Sequence, residues 1–137
     1  MSPLDAAWQQ LISTLHASGR KAALAITGGG SGAVGALLRV PGGSRLLIEA
    51  QVPYDALALA AFLSFAPARA CSSDTAIAMA QSARARAARL VPAGTDLVGL
   101  GATAALVTRA SLLQGKKSMW RRESTNKTMI KSSISNT

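Results

Sequence analysis

An unbroken run, Ala22-Ala23-Leu24-Ala25-Ile26-Thr27, leads into Gly28-Gly29-Gly30-Ser31-Gly32, and a short apolar stretch holding Gly35 follows. This junction limits the possible folds more than any other stretch. A continuous rather than alternating apolar run predicts a strand over 22–27 buried on both faces, as in a parallel sheet. Glycine costs backbone entropy, so a cluster marks a sharp bend or a close approach. A strand, a glycine turn and a helix start also make an anion-binding geometry, because free amides and the helix dipole point at one spot. The alternative is that the glycines only let a helix pack closely on the sheet.

The same alternation runs through the chain. Residues 3–18 predict an amphipathic helix capped by Ser2, with Pro3 in its first turn and Trp8, Leu11, Ile12 and Leu15 at helical spacing. A short helix is expected from Gly32 to Arg39, a second strand over 45–52, and a helix capped by Asp55 running to Leu63. Ser72 or Ser73 caps a long helix to Leu90, with Ile77, Ala80, Ala83, Ala87 and Leu90 as its buried positions. A third, glycine-bearing strand covers 96–107. Strands alternating with helices predict an α/β three-layer sandwich with a largely parallel sheet. The domain covers 1–108, and 109–137 reads as a basic, polar, flexible tail.

The net charge of +9 suggests nucleic acid at first sight, but residues 109–137 hold +6 of it and the body only +3. Lys116, Lys117, Arg121 and Arg122 around Trp120 read as a solvating tail, so nucleic acid is not the expected partner. No apolar run approaches the roughly 18 residues that span a bilayer. The N-terminus lacks a basic segment before an apolar one. With one cysteine, Cys71, the chain has no internal disulfide. A cytoplasmic protein with no membrane association is expected.

Gly30-Ser31-Gly32-Ala33-Val34-Gly35 fits G-x-G-x-x-G after a predicted strand, and Glu49 follows 19 residues after Gly30. That is the setting of a dinucleotide fingerprint, in which the acid would hold a ribose. No Lys-Ser/Thr pair follows the glycines, which excludes a Walker A loop. Thr27, Ser31 and Ser44 offer hydroxyls to a phosphate or ribose, and Tyr54 offers a ring for stacking. The single histidine, His16, reads as a solvated surface residue, and Cys71 as inert. No cofactor is expected, and no cluster has metal-ligand spacing.

Residues 27–54, "TGGGSGAVGALLRVPGGSRLLIEAQVPY", resemble the CinA-like domain family, which includes nicotinamide-nucleotide amidases. Val40-Pro41-Gly42-Gly43-Ser44 matches the family's V-P-G-S-S element, and Tyr54 matches the tyrosine of its Y-S-N-E-x-K motif. "CSSDTAIAMAQSARARA" resembles the next helix and "LVGLGATAALV" the third strand, so the resemblance covers about residues 10–108. It is closest to a divergent branch in which the domain is joined to a nucleotidylyltransferase-like partner domain.

The resemblance implies a nucleotide-like small molecule bound at Gly28, Gly29, Gly30, Gly32, Ser44 and Tyr54. An active chain would be an amidohydrolase acting on the carboxamide of nicotinamide mononucleotide. The reacting groups depart from the family pattern. The serine of E-S-C-T-G-G falls on Thr27, its glutamate on Ile26, and the lysine of Y-S-N-E-x-K on Leu59. Thr27 and Ser31 are the candidate nucleophiles, and neither has an identified base. A weakly active or inactive relative is therefore expected. The alternatives are a non-catalytic assembly or regulatory domain, which would form a homo-oligomer, and a Rossmann-like dinucleotide binder. The resemblance fades near Thr108, which implies a domain truncated at its C-terminus with an open sheet edge.

Overall fold

The structure, a computed structural model, describes residues 2–105 and 131–133. Helix α1 spans Pro3–His16, strand β1 Lys21–Thr27, helix α2 Gly32–Arg39, and a single 3-10 turn Gly43–Arg45. Strand β2 spans Leu47–Gln51, α3 Ala56–Leu63, α4 Ser73–Ala88, β3 Leu97–Thr103 and β4 Lys131–Ser133. The sheet order is β2-β1-β3-β4. β1 pairs in parallel with β2 on one side and β3 on the other, and β4 runs antiparallel to β3 over Gly99–Gly101. This is the α/β class that the alternation of elements predicts. Apart from β4, the tail expected over 109–137 lies outside the described residues, as do Thr108 and the end of the expected third strand.

Local chemistry sets most boundaries. The Ser2 hydroxyl accepts from the Asp5 amide at 3.1 Å, and the Asp5 carboxylate accepts from the Ser2 amide at 3.1 Å and from the Ser2 hydroxyl at 2.7 Å. This reciprocal cap opens α1. Those bonds, the hydroxyl's first, hold the Asp5 carboxyl below the usual carboxylate range. Asp55 accepts from the Leu57 amide at 2.8 Å and starts α3. The second strand begins later than expected. Gly42, at φ +100°, starts the turn in which Arg45 and Leu46 donate back to Gly42 and Gly43.

The core lies between β1, β3, α3 and α4. Ala23, Ala25, Leu59, Leu63, Met79, Ala83, Ala87 and Leu97 form one buried cluster. Two β3 glycines make it possible. A Cβ on Gly99 would strike the Ala80 carbonyl oxygen and Arg84, and one on Gly101 would strike the Ala76 carbonyl oxygen and the Ala80 amide. Helix backbone thus rests directly on strand backbone. That contact selects the buried stripe of α4, which holds Thr75, Ala76, Met79, Ala80, Ala83 and Ala87. Of the expected stripe, Ile77 is half-buried and Leu90 is exposed beyond the helix end. The last bonds there, Arg89 to Arg86 and Leu90 to Ala87, tighten to three-residue spacing ahead of Pro92.

His16 corrects the expectation of a solvated side chain: it is 2% exposed. Its Nδ1 lies 3.1 Å from the Pro41 carbonyl oxygen. A carbonyl only accepts, so Nδ1 carries the proton and donates. Nε2 is buried with no partner among the described residues. The helix turns Ile12 and His16 inward, whereas Trp8, Leu11 and Leu15 remain exposed. Helical spacing identified the helix but not the stripe it buries.

Candidate functional site

From β1 the chain crosses to β2 on one side, and β3 then lies on the other side of β1. The strand order therefore reverses at β1, and the crevice outside the carboxyl ends of β1 and β3 is where open α/β sheets receive ligands. Thr27 and Thr103 are register partners at the last position of each strand. Both are buried, at 6% and 2% exposure. The Thr27 hydroxyl donates to Thr103 Oγ1 at 2.9 Å, and the Thr103 hydroxyl donates to the Ala70 carbonyl at 2.8 Å. This relay ties the α3–α4 loop to both strand ends.

The glycine loop starts above it. Gly28, at φ +74°, sits against the Ala104 carbonyl, where a Cβ would overlap the oxygen. Gly29 is half-buried, and Gly30 turns at φ +106°. Ala33 and Val34 donate back to Gly30 and Ser31, which closes the first turn of α2. The Ser31 and Gly32 amides have no carbonyl partner among the described residues. Ser31 stands at the helix cap, exposed, and its hydroxyl makes no capping bond. Gly28, Gly29, Gly30, Ser31 and Gly32 thus form one outward-facing turn at a helix start, an arrangement able to hold a phosphate or another small anion.

The other expected site residues are not all brought to this place. Tyr54 follows β2 at the same, carboxyl end of the sheet and is 74% exposed. Ser44 is at the opposite end, where its carbonyl accepts from Lys21 Nζ at 2.9 Å beside the start of β1. A seven-residue strand, roughly 20 Å long, lies between Ser44 and the glycine loop. Spacing along the sequence hid this, because α2 carries the chain from one end of the sheet to the other. Glu49 is bonded to Arg86 of α4 at 2.6 Å and accepts from Gln51 Nε2 at 3.3 Å. It faces the helix from an edge strand and not the crevice, which removes the acid that the dinucleotide fingerprint needs.

Among the described residues, neither the Thr27 nor the Ser31 hydroxyl is hydrogen-bonded to a basic side chain. The Thr27 proton is committed to Thr103. Leu59, where the resemblance puts the lysine, is 2% exposed in the core cluster with Ala25, two residues before Thr27. Cys71 is exposed and free. No group of three potential metal ligands occurs among the described residues. Lys116, Lys117, Trp120, Arg121 and Arg122 lie outside them. The sequence reading missed Thr103 and the Ala70 carbonyl. The signal was present in two strand-ending triplets, Ala25-Ile26-Thr27 and Gly101-Ala102-Thr103.

No protein-family model and no curated protein matches the chain. Among solved structures, the competence/damage inducible protein CihA from Agrobacterium tumefaciens superposes with a TM-score of 0.55 at 20% identity. The match covers 79% of this chain and 66% of that one, so the chain spans less than two thirds of its neighbour. No described helix is long and apolar enough to cross a membrane. The likeness is one of fold, and it supports the CinA-like fold that the sequence motifs implied.

Proposed function

We propose that this chain is a divergent CinA-like domain that binds a nucleotide or phosphate at the Gly28–Gly32 loop and has weak or no amidase activity. In this reading it derives from the branch joined to a nucleotidylyltransferase-like domain. One observation carries the binding: the loop turns outward at the point where the strand order reverses, with α2 starting at its end. Two observations support the loss of chemistry. The Thr27 hydroxyl is a committed donor in a buried relay, and an apolar core residue stands at the lysine position. A hydroxyl becomes a nucleophile only beside a group that takes its proton.

The test is a thermal-shift series with nicotinamide mononucleotide, nicotinate mononucleotide, NAD and ATP, with ammonia followed in the same samples. Stabilisation that grows with ligand concentration, without ammonia release, is the expected result. Ammonia from nicotinamide mononucleotide at an enzymatic rate would overturn the inactive reading. No shift with any of the four would overturn binding. A second reading, a homo-oligomeric assembly domain, is favoured by the exposed Trp8, Leu11 and Leu15 on α1. It predicts a dimer or larger species in light scattering, reduced to monomer by Leu11→Asp.

A further inference from the structure

The loop between α3 and α4 and the first turn of α4 enclose a groove of about 290 Å³, separate from the glycine loop. Its wall includes Phe65, Pro67, Arg69, Ser72, Asp74 and Thr75. The volume is close to the lower end of the range for small-molecule sites. Two internal features hold its shape. Ser72 Oγ accepts from the Thr75 amide at 3.1 Å and donates to Thr75 Oγ1 at 3.0 Å, while Thr75 Oγ1 donates to the Arg69 carbonyl. The carbonyl of Ala70, the residue after Arg69 in the chain, accepts from Thr103, which in turn accepts from Thr27, the residue before the glycine loop.

The groups that hold the shape are used up by it, and those left over have a distinct chemistry. Phe65 is 53% exposed, a large apolar ring presented to solvent. Arg69 and Asp74 are exposed, and neither the guanidinium nor the carboxylate has a hydrogen bond or ion pair among the described residues. Together they offer an aromatic face, a planar donor and an acceptor around one small volume. A flat nitrogen heterocycle bearing a carbonyl and an amino or amide group fits that set. Its ring stacks on Phe65, its carbonyl accepts from the guanidinium, and its N–H donates to the carboxylate.

We infer that this groove is the ring subsite of the same ligand whose phosphate the Gly28–Gly32 loop holds, an assignment that rests on the proposed nucleotide reading. The two halves of the ligand then bind to two separate loops at the same end of the sheet. The Thr27–Thr103–Ala70 relay sets the spacing between them.

The experiment is amide chemical-shift mapping of the full chain with three probes: nicotinamide and cytosine, which have a ring and no phosphate, and ribose 5-phosphate, which has no ring. Nicotinamide and cytosine should move the signals of residues 65–75, and Phe65→Ala or Arg69→Ala should weaken that binding about fivefold. Ribose 5-phosphate should move residues 28–35, with an affinity that neither substitution changes. The ring assignment is overturned by three outcomes: ring probes that leave 65–75 unmoved, that move 28–35 instead, or that bind both variants as well as the parent. Ribose 5-phosphate failing to perturb 28–35 counts against the loop reading alone. The thermal midpoint of each variant, measured without ligand, separates lost binding from lost folding.

Discussion

The two longest helices, α1 and α4, bury themselves in opposite ways. α4 lies on β3 with its Ala76 and Ala80 carbonyls over Gly101 and Gly99, and it buries six side chains, four of them alanine. α1 packs on the Gly43–Arg45 turn, buries Ile12 and His16, and leaves Trp8, Leu11 and Leu15 in solvent. Small residues let α4 bring backbone to backbone, so its face is dense and intolerant of added atoms. The larger apolar side chains of α1 do not find an equivalent surface among the described residues. A count of large apolar residues, five in α1 against Ile77 and Met79 in α4, would rank the two helices in the wrong order of burial.

Substitutions can break this contrast. The largest effect is expected at Gly101→Val, which drives new methyl groups into the Ala76 carbonyl and the Ala80 amide. We expect a loss of about 3 kcal/mol or more in urea denaturation. On the thinner side, His16→Ala removes a buried ring and its bond to Pro41 and should cost about 2 kcal/mol. An effect equal to that at Gly101 would abolish the distinction between the faces. Thr103→Val cuts the relay and leaves the Ala70 carbonyl without its donor, at about 1–2 kcal/mol. The double variant with Thr27→Val should be less than additive in the same assay, because both hydroxyls belong to one chain of bonds. Trp8→Ser should change stability by less than about 0.5 kcal/mol, as for an exposed position. A larger loss would mean that this stripe is covered in solution.

The smallest effect belongs to the α1 cap. The Asp5 carboxyl is held low by Ser2, so its contribution is complete above the usual carboxylate range and is lost as pH falls through the lowered native value. Ser2→Ala removes the hydroxyl responsible. The stability gap between parent and Ser2→Ala should therefore narrow as a denaturation series moves from pH 5 to pH 2.

Much of the fold was legible because local chemistry and tertiary packing agree in the sequence. Ser2, Asp55 and Ser72 cap the helices they were expected to cap, and α2 and α3 have the expected bounds. The glycine loop was legible as well: its clustering implied a sharp bend or a close approach, and Gly28 and Gly30 turn at positive φ. What escaped the sequence depends on which face meets which. His16 lies inside because α1 rotates its Ile12–His16 side toward the 41–43 loop, a choice that helical spacing leaves open. Ser44 appeared to belong to the glycine loop because a family element places it nearby in sequence, yet α2 separates them by the length of the sheet. The relay through Thr103 joins residues 76 positions apart, beyond the reach of any local pattern.

The seats at Gly99 and Gly101 act together as a vernier. Two strand positions span roughly 7 Å, and the four helical positions from Ala76 to Ala80 rise roughly 6 Å, so two fixed marks on one element meet two on the other. Sliding α4 by a fraction of a turn, or rolling it about its axis, would lift both carbonyls from their seats and bring side chains onto backbone. The helix is thereby indexed to the strand in translation and rotation at once. Any rearrangement accompanying ligand binding then falls on parts outside this seat, such as α1, α2 and the loop between α3 and α4, with β3 and α4 serving as the fixed frame.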